Sequence, residues 1–504
     1  MRERVERSFV WIVGSRGVVQ AVAWVSTLLV ARLLSPADYG LIAMAGVWTA
    51  VIAALAELGL GAAIVQFPEP SESELNACFW LTIGLSGAGY LALCLAAPWI
   101  AAWFAAPELA WVLYVLGLIL PLAALRVIPD SLLRKRLEFD KISKGEILAA
   151  TTAMPVALGL AILGAGVWAL VAGALATMMV QAVVAFWFVR WTPGLRVGTR
   201  RLTAILRYSL HTLGGRLLWA AYSEADAVAL GKITGSVALG YYSMAKQLAL
   251  LPVEKVCSIV IQIAVPVLAE LQDERDRMRL VLLRSIRLVT LITFPASAGL
   301  AIVAPELVPL ILTERWSAVV PLLQVLTLFA ATRSVAVLMP PVLMARYQTG
   351  FLLGYNAALL VAMSTAVVTG ALLGGVYGAT LALVTAYPMI TAWMVVRTCR
   401  EVQVSPRDLW LEMQSPVIGS IVTLASVWGV RRLGSEGLIH LAAEVGLGVI
   451  VYGAIVLGLG GRSAEELRDA VVRGLHWVRR RGAARREAGQ AFLGPGREEV
   501  PPPR

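Results

Sequence analysis

The sequence predicts an all-α polytopic membrane protein with about fourteen transmembrane helices, arranged as two parallel six-helix lobes plus two extra helices. Hydrophobic residues make up 59% of the 504-residue chain, and charged residues only 15%. The mean hydropathy of +0.77 is far above that of soluble proteins. Apolar stretches of about 20 residues, the length that a helix needs to cross about 30 Å of hydrocarbon, follow one another along nearly the whole chain.

Glycines, prolines and charge clusters divide this apolar sequence into the separate spans. The first apolar stretch is longer than the hydrophobic region of a signal peptide and lacks a small-residue cleavage site, so we expect no cleaved leader. The predicted spans begin near residues 8, 40, 75, 109, 142, 167, 203, 237, 280, 317, 350, 375, 414 and 437.

Loop charge predicts the orientation of the spans. The loops after the even-numbered spans are basic, as in "RVIPDSLLRKRLEFDKISKGE" and "RWTPGLRVGTRR", whereas most odd-numbered loops are short and carry few basic residues, as in "LLSPADYG" and "ITGS". By the positive-inside rule the basic loops and both termini are cytoplasmic. Two outer loops, "LTERW" and "RRLGS", fit this rule poorly because they contain arginine.

An internal repeat relates the two halves of the chain. With an offset of 200 residues and no gap, seven identities occur between residues 7–45 and 207–245. They include Arg16 with Arg216 and Gly40 with Gly240. Since six spans separate the copies, both copies have the same orientation, which is a recurring transporter architecture with the substrate site between the lobes.

A second correspondence lies near the ends of the two halves. The stretch "GAGVWALVAG" before span six matches "GGVYGATLAL" before span twelve, so that Gly166 is equivalent to Gly375. The repeat predicts four parts of the chain. They are a first lobe (1–198), a second lobe (199–402), accessory spans 13 and 14 (403–462) and a basic amphipathic tail with a disordered end (463–504).

Four motifs in order resemble the polysaccharide transporter family, the Wzx-type oligosaccharide flippases of the multidrug, oligosaccharidyl-lipid and polysaccharide exporter superfamily. The motifs are "ARLLSPADYGLIAMA", "AELGLGAAIVQ", "LLRKRLEF" and "YSEADAVALGKITGSVALGYYSMAKQLALLP". The resemblance implies a bacterial inner-membrane protein that moves an undecaprenyl-diphosphate-linked oligosaccharide from the cytoplasmic to the periplasmic leaflet. Such units serve the synthesis of surface polysaccharides such as O-antigen, capsule or exopolysaccharide.

Cationic side chains inside the spans are candidate ligands of a diphosphate. Arg16 and Arg216 occupy equivalent positions in the two lobes, Arg333 lies in span ten and Lys246 in span eight. Charges in the bilayer are costly and therefore functional candidates, and arginine presents paired donors suited to phosphate oxygens. The alternatives are that each arginine pairs with a group of its own lobe and that Lys246 extends to the outer surface.

Two intramembrane acids are candidates for binding a proton or a sodium ion. They are Asp226, within the second-lobe motif, and Glu57, within "LAELGLG". The alternative for Asp226 is a structural ion pair with Arg16 or Arg216. Because Glu224 and Asp226 are about 200° apart on a helix, we expect only one of them to face the cavity.

The sequence offers no motif for driving transport by ATP or for metal chemistry. There is no G-x-x-x-x-G-K-[ST] motif, and no spanning helix shows a metal-ligand spacing. The three histidines, His211, His440 and His476, are far apart in the sequence. We therefore expect no cofactor, no metal, no enzymatic activity, and transport driven by an ion gradient or by the substrate gradient.

Two other functions remain open at this stage. A drug or small-molecule exporter of the same superfamily would share the fold, but its cavity should be acidic or apolar, whereas the expected inward charges are mostly basic. An intramembrane polysaccharide polymerase or ligase would need catalytic groups at the outer surface, commonly on a long loop. The predicted outer loops are short.

The tail carries apolar residues at helical spacing, among them Leu467 and Leu475, with arginines on the other face. Such a helix is expected to lie on the inner membrane surface against anionic lipids, or alternatively to dock a cytoplasmic glycosyltransferase. The expected partners are the lipid-linked oligosaccharide, membrane lipids, and a polysaccharide polymerase or glycosyltransferases. We expect a monomer that binds no nucleic acid.

Overall fold

A computed structural model describes residues 26–57, 59–66, 70–196, 198, 202–431, 438–466 and 468. Throughout these residues the chain is helical, with turns and short loops between the helices. The helices are α1 (26–33), α2 (Pro36–Glu57), α3 (Leu60–Gln66), α4 (Glu72–Phe104), α5 (Glu108–Leu116), α6 (Ile119–Lys135), α7 (Phe139–Ile162), α8 (Val167–Val189), α9 (Leu202–Glu270), α10 (Arg275–Leu312), α11 (Val319–Ala336), α12 (Met339–Ala345), α13 (Thr349–Glu401), α14 (Pro406–Arg431) and α15 (Leu438–Leu459).

Eleven helices of the described chain are long and apolar enough to cross a membrane. Two of them bend back at glycines with non-helical backbone angles, α9 at Gly235 and α13 at Gly374 and Gly375, so each provides two crossings. The predicted all-α polytopic membrane fold is therefore confirmed. The first predicted span falls mostly on residues outside the described ranges, and α1 is the part of it that is described.

Helix caps explain the polar residues in two of the loops. Ser35 precedes α2, and its backbone N–H and hydroxyl both donate to Oδ2 of Asp38, at 2.8 and 2.6 Å. Ser71 and Glu74 form a capping box at the start of α4, in which each side chain accepts a hydrogen bond from the other residue's backbone N–H. The serine and the acid thus satisfy N–H groups that the first turn of a helix leaves free.

The equivalent glycines adopt the same unusual backbone conformation. Gly166, directly before α8, has φ 55° and ψ −129°, and Gly375, before the second half of α13, has φ 58° and ψ −145°. This region is accessible essentially to glycine alone, because a Cβ would clash with the backbone. Met44 and Met244 of the offset-200 repeat are also both buried. These matches support the internal repeat independently of residue identity.

The repeat also appears in a reciprocal contact between the predicted outer hairpins. A Cβ built on Gly40 would overlap the carbonyl oxygen of Ser236, and one built on Gly240 would overlap that of Pro36. Pro36 and Ser236 are themselves related by the offset of 200 residues. The two hairpins thus meet backbone to backbone at equivalent sites, and glycine is required at both because no side chain would fit.

The buried ring of Trp316, in the loop between α10 and α11, packs against the same hairpins. Its indole N–H donates to the carbonyl of Ala31 at 2.9 Å, and its ring lies edge-on to those of Tyr39 and Tyr241. Trp316 is 0% exposed. One tightly packed contact therefore joins parts of α2, α9 and the end of α10 on the side that loop charge predicts to be outer, and we call it the outer contact (Pro36, Gly40, Ser236, Gly240 and Trp316).

The accessory helices α14 and α15 pack along α10, and a buried ionic network fixes the end that loop charge predicts to be cytoplasmic. The guanidinium of Arg287 binds Glu412 at 2.7 Å and Glu466 at 3.4 Å, and Arg462 contacts the other oxygen of Glu412 at 3.0 Å. Arg287 is 8% exposed. Because Arg287, Glu412 and Glu466 are largely removed from solvent, these three charges depend on one another for compensation.

We expect Arg287→Ala to lower the free energy of unfolding by about 3 kcal/mol, because Glu412 keeps only the exposed Arg462 as its partner. Thermal unfolding of the purified protein would measure this loss. Arg277→Ala is the matched control, since Arg277 pairs with Glu274 on the surface, and such a pair contributes less than about 1 kcal/mol. Equal losses in both variants would contradict the buried network.

The orientation predicted from loop charge can be tested at four exposed positions. In a background without the native cysteines, a cysteine at Glu108 or Glu314 is expected to react with an impermeant maleimide added to intact cells. A cysteine at Arg136 or Glu274 should react only after permeabilisation. Glu314 lies in one of the two outer loops that fit the charge rule poorly, so labelling of a cysteine at this position from the inside would overturn the orientation there.

Candidate functional site

A cavity of about 490 Å³ lies between helices of the two predicted lobes. Charged, aromatic and small apolar side chains all contribute to its wall. Its described lining consists of Ala50, Ala53, Ala54, Glu57, Trp219, Ala220, Tyr222, Ser223, Glu224, Ala225, Asp226, Lys246, Leu250, Glu254, Phe329, Arg333, Met363, Val367 and Leu383. Its volume falls within the range of sites that hold small organic molecules or the head of a larger one.

The cavity reaches from about the middle of the spans to the ends predicted to be cytoplasmic. At 1.5 Å per residue, Asp226 lies about 14 Å along its helix from the outer turn at Gly235, and Arg333 about 21 Å from the outer end of α11. Glu57 ends α2, about 32 Å from its outer end. The outer contact lies at the opposite end of these helices, so the cavity is on the side that loop charge predicts to be cytoplasmic.

Asp226 is the centre of a compact polar cluster on the two halves of α9. Its Oδ2 lies 2.5 Å from Nζ of Lys246 and accepts a hydrogen bond of 2.6 Å from the hydroxyl of Tyr242. Asp226 is 6% exposed, and Nζ of Lys246 also lies 5.9 Å from the centre of the Tyr242 ring. The ammonium of Lys246 is thus directed to Asp226 inside the protein, and not to the outer surface.

Arg333 differs from Lys246, the other base of the described wall, because no described carboxylate lies within ion-pair distance of its guanidinium. The Arg333 guanidinium has no hydrogen bond or ion pair with any residue that the structure describes. Its central carbon, Cζ, lies 5.9 Å from the centre of the Phe329 ring. An arginine that lines a cavity without a carboxylate partner retains its donors for an anion.

The described wall carries more acids than bases. Glu57, Glu224, Asp226 and Glu254 face two bases, Lys246 and Arg333. The expectation of mostly basic inward charges is therefore wrong for the described residues. The expectation that only one of Glu224 and Asp226 faces the cavity is also wrong, because this cavity extends around the helix and touches both.

Two of the six candidate residues cannot be placed. Arg16 lies outside the described ranges, and Arg216 lies within α9 but its side chain is not described. The other four, Glu57, Asp226, Lys246 and Arg333, come together on one cavity although they lie on three different helices.

Sequence reasoning missed Glu254 and Tyr242. Glu254 lies eight residues after Lys246, and Leu250 lies between them, so these three residues form a stripe on one helix face, as their spacing could have shown. The bond from Tyr242 to Asp226 joins the two halves of a hairpin. No pattern within either half could have indicated that contact.

A second, apolar groove of about 600 Å³ lies beside the cavity. Tryptophan and branched aliphatic side chains dominate its wall, and Trp99 is 74% exposed. The described lining is Val47, Trp48, Val51, Trp99, Ile100, Trp103, Ala221, Glu224 and Val228. Because Glu224 lines both spaces, the polar cavity and the apolar groove are neighbours that share one wall residue.

Comparison with known proteins points to polysaccharide biosynthesis. The family model described as "Polysaccharide biosynthesis protein" matches residues 29–321. The chain is 26% identical to the lipopolysaccharide biosynthesis protein WzxC of Escherichia coli (strain K12), over 76% of this chain and 78% of WzxC. It is 24% identical to the succinoglycan biosynthesis transport protein ExoT of Rhizobium meliloti (strain 1021), over 90% of this chain and 92% of ExoT.

Solved structures share the fold at low sequence identity. The lipid II flippase MurJ, in an inward closed conformation, superposes with a TM-score of 0.71 and 13% identity, over 90% of this chain and 98% of MurJ. An inward-facing multidrug resistance MATE family transporter gives a TM-score of 0.61 and 16% identity, over 76% of this chain and 94% of the transporter. The same helical architecture therefore occurs in transporters of different substrates.

Proposed function

The chain belongs to the polysaccharide biosynthesis protein family, and from that premise we propose that it is a flippase for undecaprenyl-diphosphate-linked oligosaccharide. It moves this lipid from the cytoplasmic to the periplasmic leaflet of a bacterial inner membrane by alternating access, for the assembly of a surface polysaccharide. Both cited relatives are named for the biosynthesis of a polysaccharide or lipopolysaccharide, and ExoT is also named as a transport protein, which supports a transporter and not an enzyme.

The uncompensated guanidinium of Arg333 carries this proposal. A diphosphate needs cationic donors in a site shielded from water, and Arg333 offers planar paired donors in a cavity on the side that loop charge predicts to be cytoplasmic. In the proposed site, Arg16 and Arg216 approach the same diphosphate from the two lobes. Together with Lys246 they would bring the cationic groups to four, equal to the four acids of the described wall.

The Asp226–Lys246 pair suggests how substrate and ion binding are coupled. In the structure Asp226 compensates the charge of Lys246. A bound diphosphate competes for Lys246, and the buried carboxylate then needs another cation, because an isolated charge in low dielectric is costly. A proton or a sodium ion at Asp226 fulfils this need, and Glu57 is the second proposed ion site.

The apolar groove supports an amphipathic substrate. A lipid-linked oligosaccharide has a polar head and a long hydrocarbon tail, and only the head requires a polar cavity. With the diphosphate in the cavity, we place the first part of the polyprenyl chain in the Trp99–Trp103 groove, where it replaces contacts with lipid by contacts with aromatic side chains. In this arrangement the tail never crosses the cavity.

Deletion of the gene tests the proposal. We expect a lipid-linked oligosaccharide to accumulate in a form that periodate, applied outside spheroplasts at low temperature, cannot oxidise. Surface polysaccharide should be lost at the same time, and the restored gene should reverse both effects. Unchanged lipid intermediates in the deletion strain would refute the proposal.

The acidic majority of the described wall favours a second candidate function, export of small organic cations. Four acids against two bases would attract a cation and repel an anion. For such an exporter, the deletion strain would become sensitive to cationic drugs while its lipid intermediates stay unchanged. The same strain thus separates the two functions.

A further inference from the structure

A cluster of three metal-ligating side chains lies away from the transport cavity, where the accessory helices meet α10. Glu306 of α10 and His440 and Glu444 of α15 bring one ligand atom each within 4.8 Å of one another. His440 and Glu444 are four residues apart and so share one helix face. Glu306 lies about 9 Å from the outer end of α10, and His440 lies near the start of α15, so the cluster is close to the predicted outer surface.

The carboxylate of Glu444 is buried without a hydrogen-bond partner among the residues that the structure describes. Glu444 is 1% exposed, and neither of its two oxygens, nor either ring nitrogen of His440, forms a hydrogen bond with a described residue. The nearest polar contact between them joins Nδ1 of His440 to Oε1 of Glu444 at 3.4 Å. A buried carboxylate without donors is unfavourable unless a cation compensates it.

Arg431, at the end of α14, fixes Glu306 but leaves half of its carboxylate free. One nitrogen of Arg431 contacts Oε1 of Glu306 at 3.4 Å, and another donates to the carbonyl of Ile302 at 2.9 Å. The other oxygen of Glu306, Oε2, is buried and forms no hydrogen bond. The contact with Arg431 therefore orients Glu306 and leaves its Oε2 available to bind a metal ion.

We propose that Glu306, His440 and Glu444 bind a divalent transition-metal ion, with Zn²⁺ as the best match. A tetrahedral zinc with bonds of about 2.1 Å separates neighbouring ligand atoms by about 3.4 Å, which agrees with the contact between His440 and Glu444. One imidazole and two carboxylates leave a fourth position for water from the outer side. The imidazole favours zinc over Mg²⁺ or Ca²⁺, which prefer oxygen ligands.

The proposed ion joins α15 to α10 at the end opposite to the Arg287 network. Because the two ligating helices are far apart in sequence, the ion acts as a cross-link that stabilises the accessory helices on the second lobe. Sequence reasoning predicted no metal site because it found no metal-ligand spacing within a spanning helix and because the three histidines are far apart in the sequence. Two of the three ligands are carboxylates, and one of them comes from a distant helix.

Zinc binding to the full-length chain tests this inference. The protein would be purified in detergent with a tag that contains no histidine, stripped with a chelator, equilibrated with ZnCl₂ and desalted. We expect it to retain about one zinc ion per chain, measured by mass spectrometry of the metal, and to unfold at a higher temperature with zinc than without it. Incubation with MgCl₂ should have neither effect.

Variants identify the ligands. Glu444→Gln, which keeps the side-chain volume, and His440→Ala should both lose the retained zinc and the zinc-dependent rise in unfolding temperature. Glu108→Gln, an exposed acid at another predicted outer loop, should keep both. The inference is overturned if the stripped wild-type protein retains no zinc, or if Glu444→Gln retains as much as wild type.

Discussion

Replacement of Arg333 by alanine is expected to reduce transport about ten- to a hundredfold while the protein remains inserted at normal abundance. This range corresponds to the loss of a charge-assisted hydrogen bond of about 1.5 to 3 kcal/mol. Because Arg333 has no carboxylate partner among the described residues, its removal leaves no buried charge unpaired there. The loss should therefore appear in transport and not in stability.

Lysine at position 333 should restore transport only partly, because it keeps the charge but loses the planar pair of donors. Arg275→Ala serves as the control, since Arg275 is an exposed arginine at the start of α10. Export of the polysaccharide and abundance of the protein would be measured in the same cells. Full transport by Arg333→Ala at normal abundance would exclude the proposed diphosphate contact.

The second large effect is expected at the outer contact. Valine at Gly40 or Gly240 would force a side chain into the backbone of the opposite hairpin, so the lobes could not close on that side. We expect both variants to lose transport, since alternating access requires each side to close in turn. A cysteine at Ala53 in the cavity wall should then react with an impermeant reagent from outside.

Gly46→Val is a closely matched control for this prediction. Gly46 lies on the same helix as Gly40, but a Cβ at this position would meet no atom within 4 Å. The substitution has the same cost in helix propensity and should leave transport intact. Normal transport by both Gly40→Val and Gly240→Val would show that this contact is not needed for the transport cycle.

The sequence was informative about features that are local or repeated. Apolar length and loop composition predicted the spans, because a helix that crosses lipid must satisfy its own backbone groups. Gly166 and Gly375 were matched as equivalent positions of the repeat, and the structure has nearly the same backbone angles at both. Glycine can be identified in this way because the required conformation excludes other residues.

Contacts that depend on how helices are rotated against each other could not be predicted. The bond between Asp226 and Lys246 requires both halves of α9 to present these residues to each other across the turn at Gly235. Sequence reasoning made Asp226 a candidate for binding a proton or a sodium ion and gave an arginine as its alternative partner, because charge alone does not select a partner. The acids of the cavity were underestimated for a similar reason, since Glu254 faces inward only through the position of its helix.

The Glu306–His440–Glu444 cluster could not be predicted from the sequence either, because its residues lie on helices that are far apart in the chain. The pair of His440 and Glu444 is visible in the sequence at helical spacing, but such a pair is common on helices and indicates little by itself. Its burial, the absence of donors to Glu444 and the approach of Glu306 are properties of the packed helices. A candidate metal site thus becomes recognisable only in three dimensions.

Reconstitution tests the central claim most directly. The purified chain would be inserted into vesicles that contain the lipid-linked oligosaccharide accumulated by the deletion strain, and an impermeant oxidant would be added outside. With the wild-type protein the oxidant should reach the lipid of both leaflets, whereas with Arg333→Ala it should reach mainly the outer leaflet within the same time. If wild-type vesicles behave like protein-free vesicles, the chain does not flip this lipid.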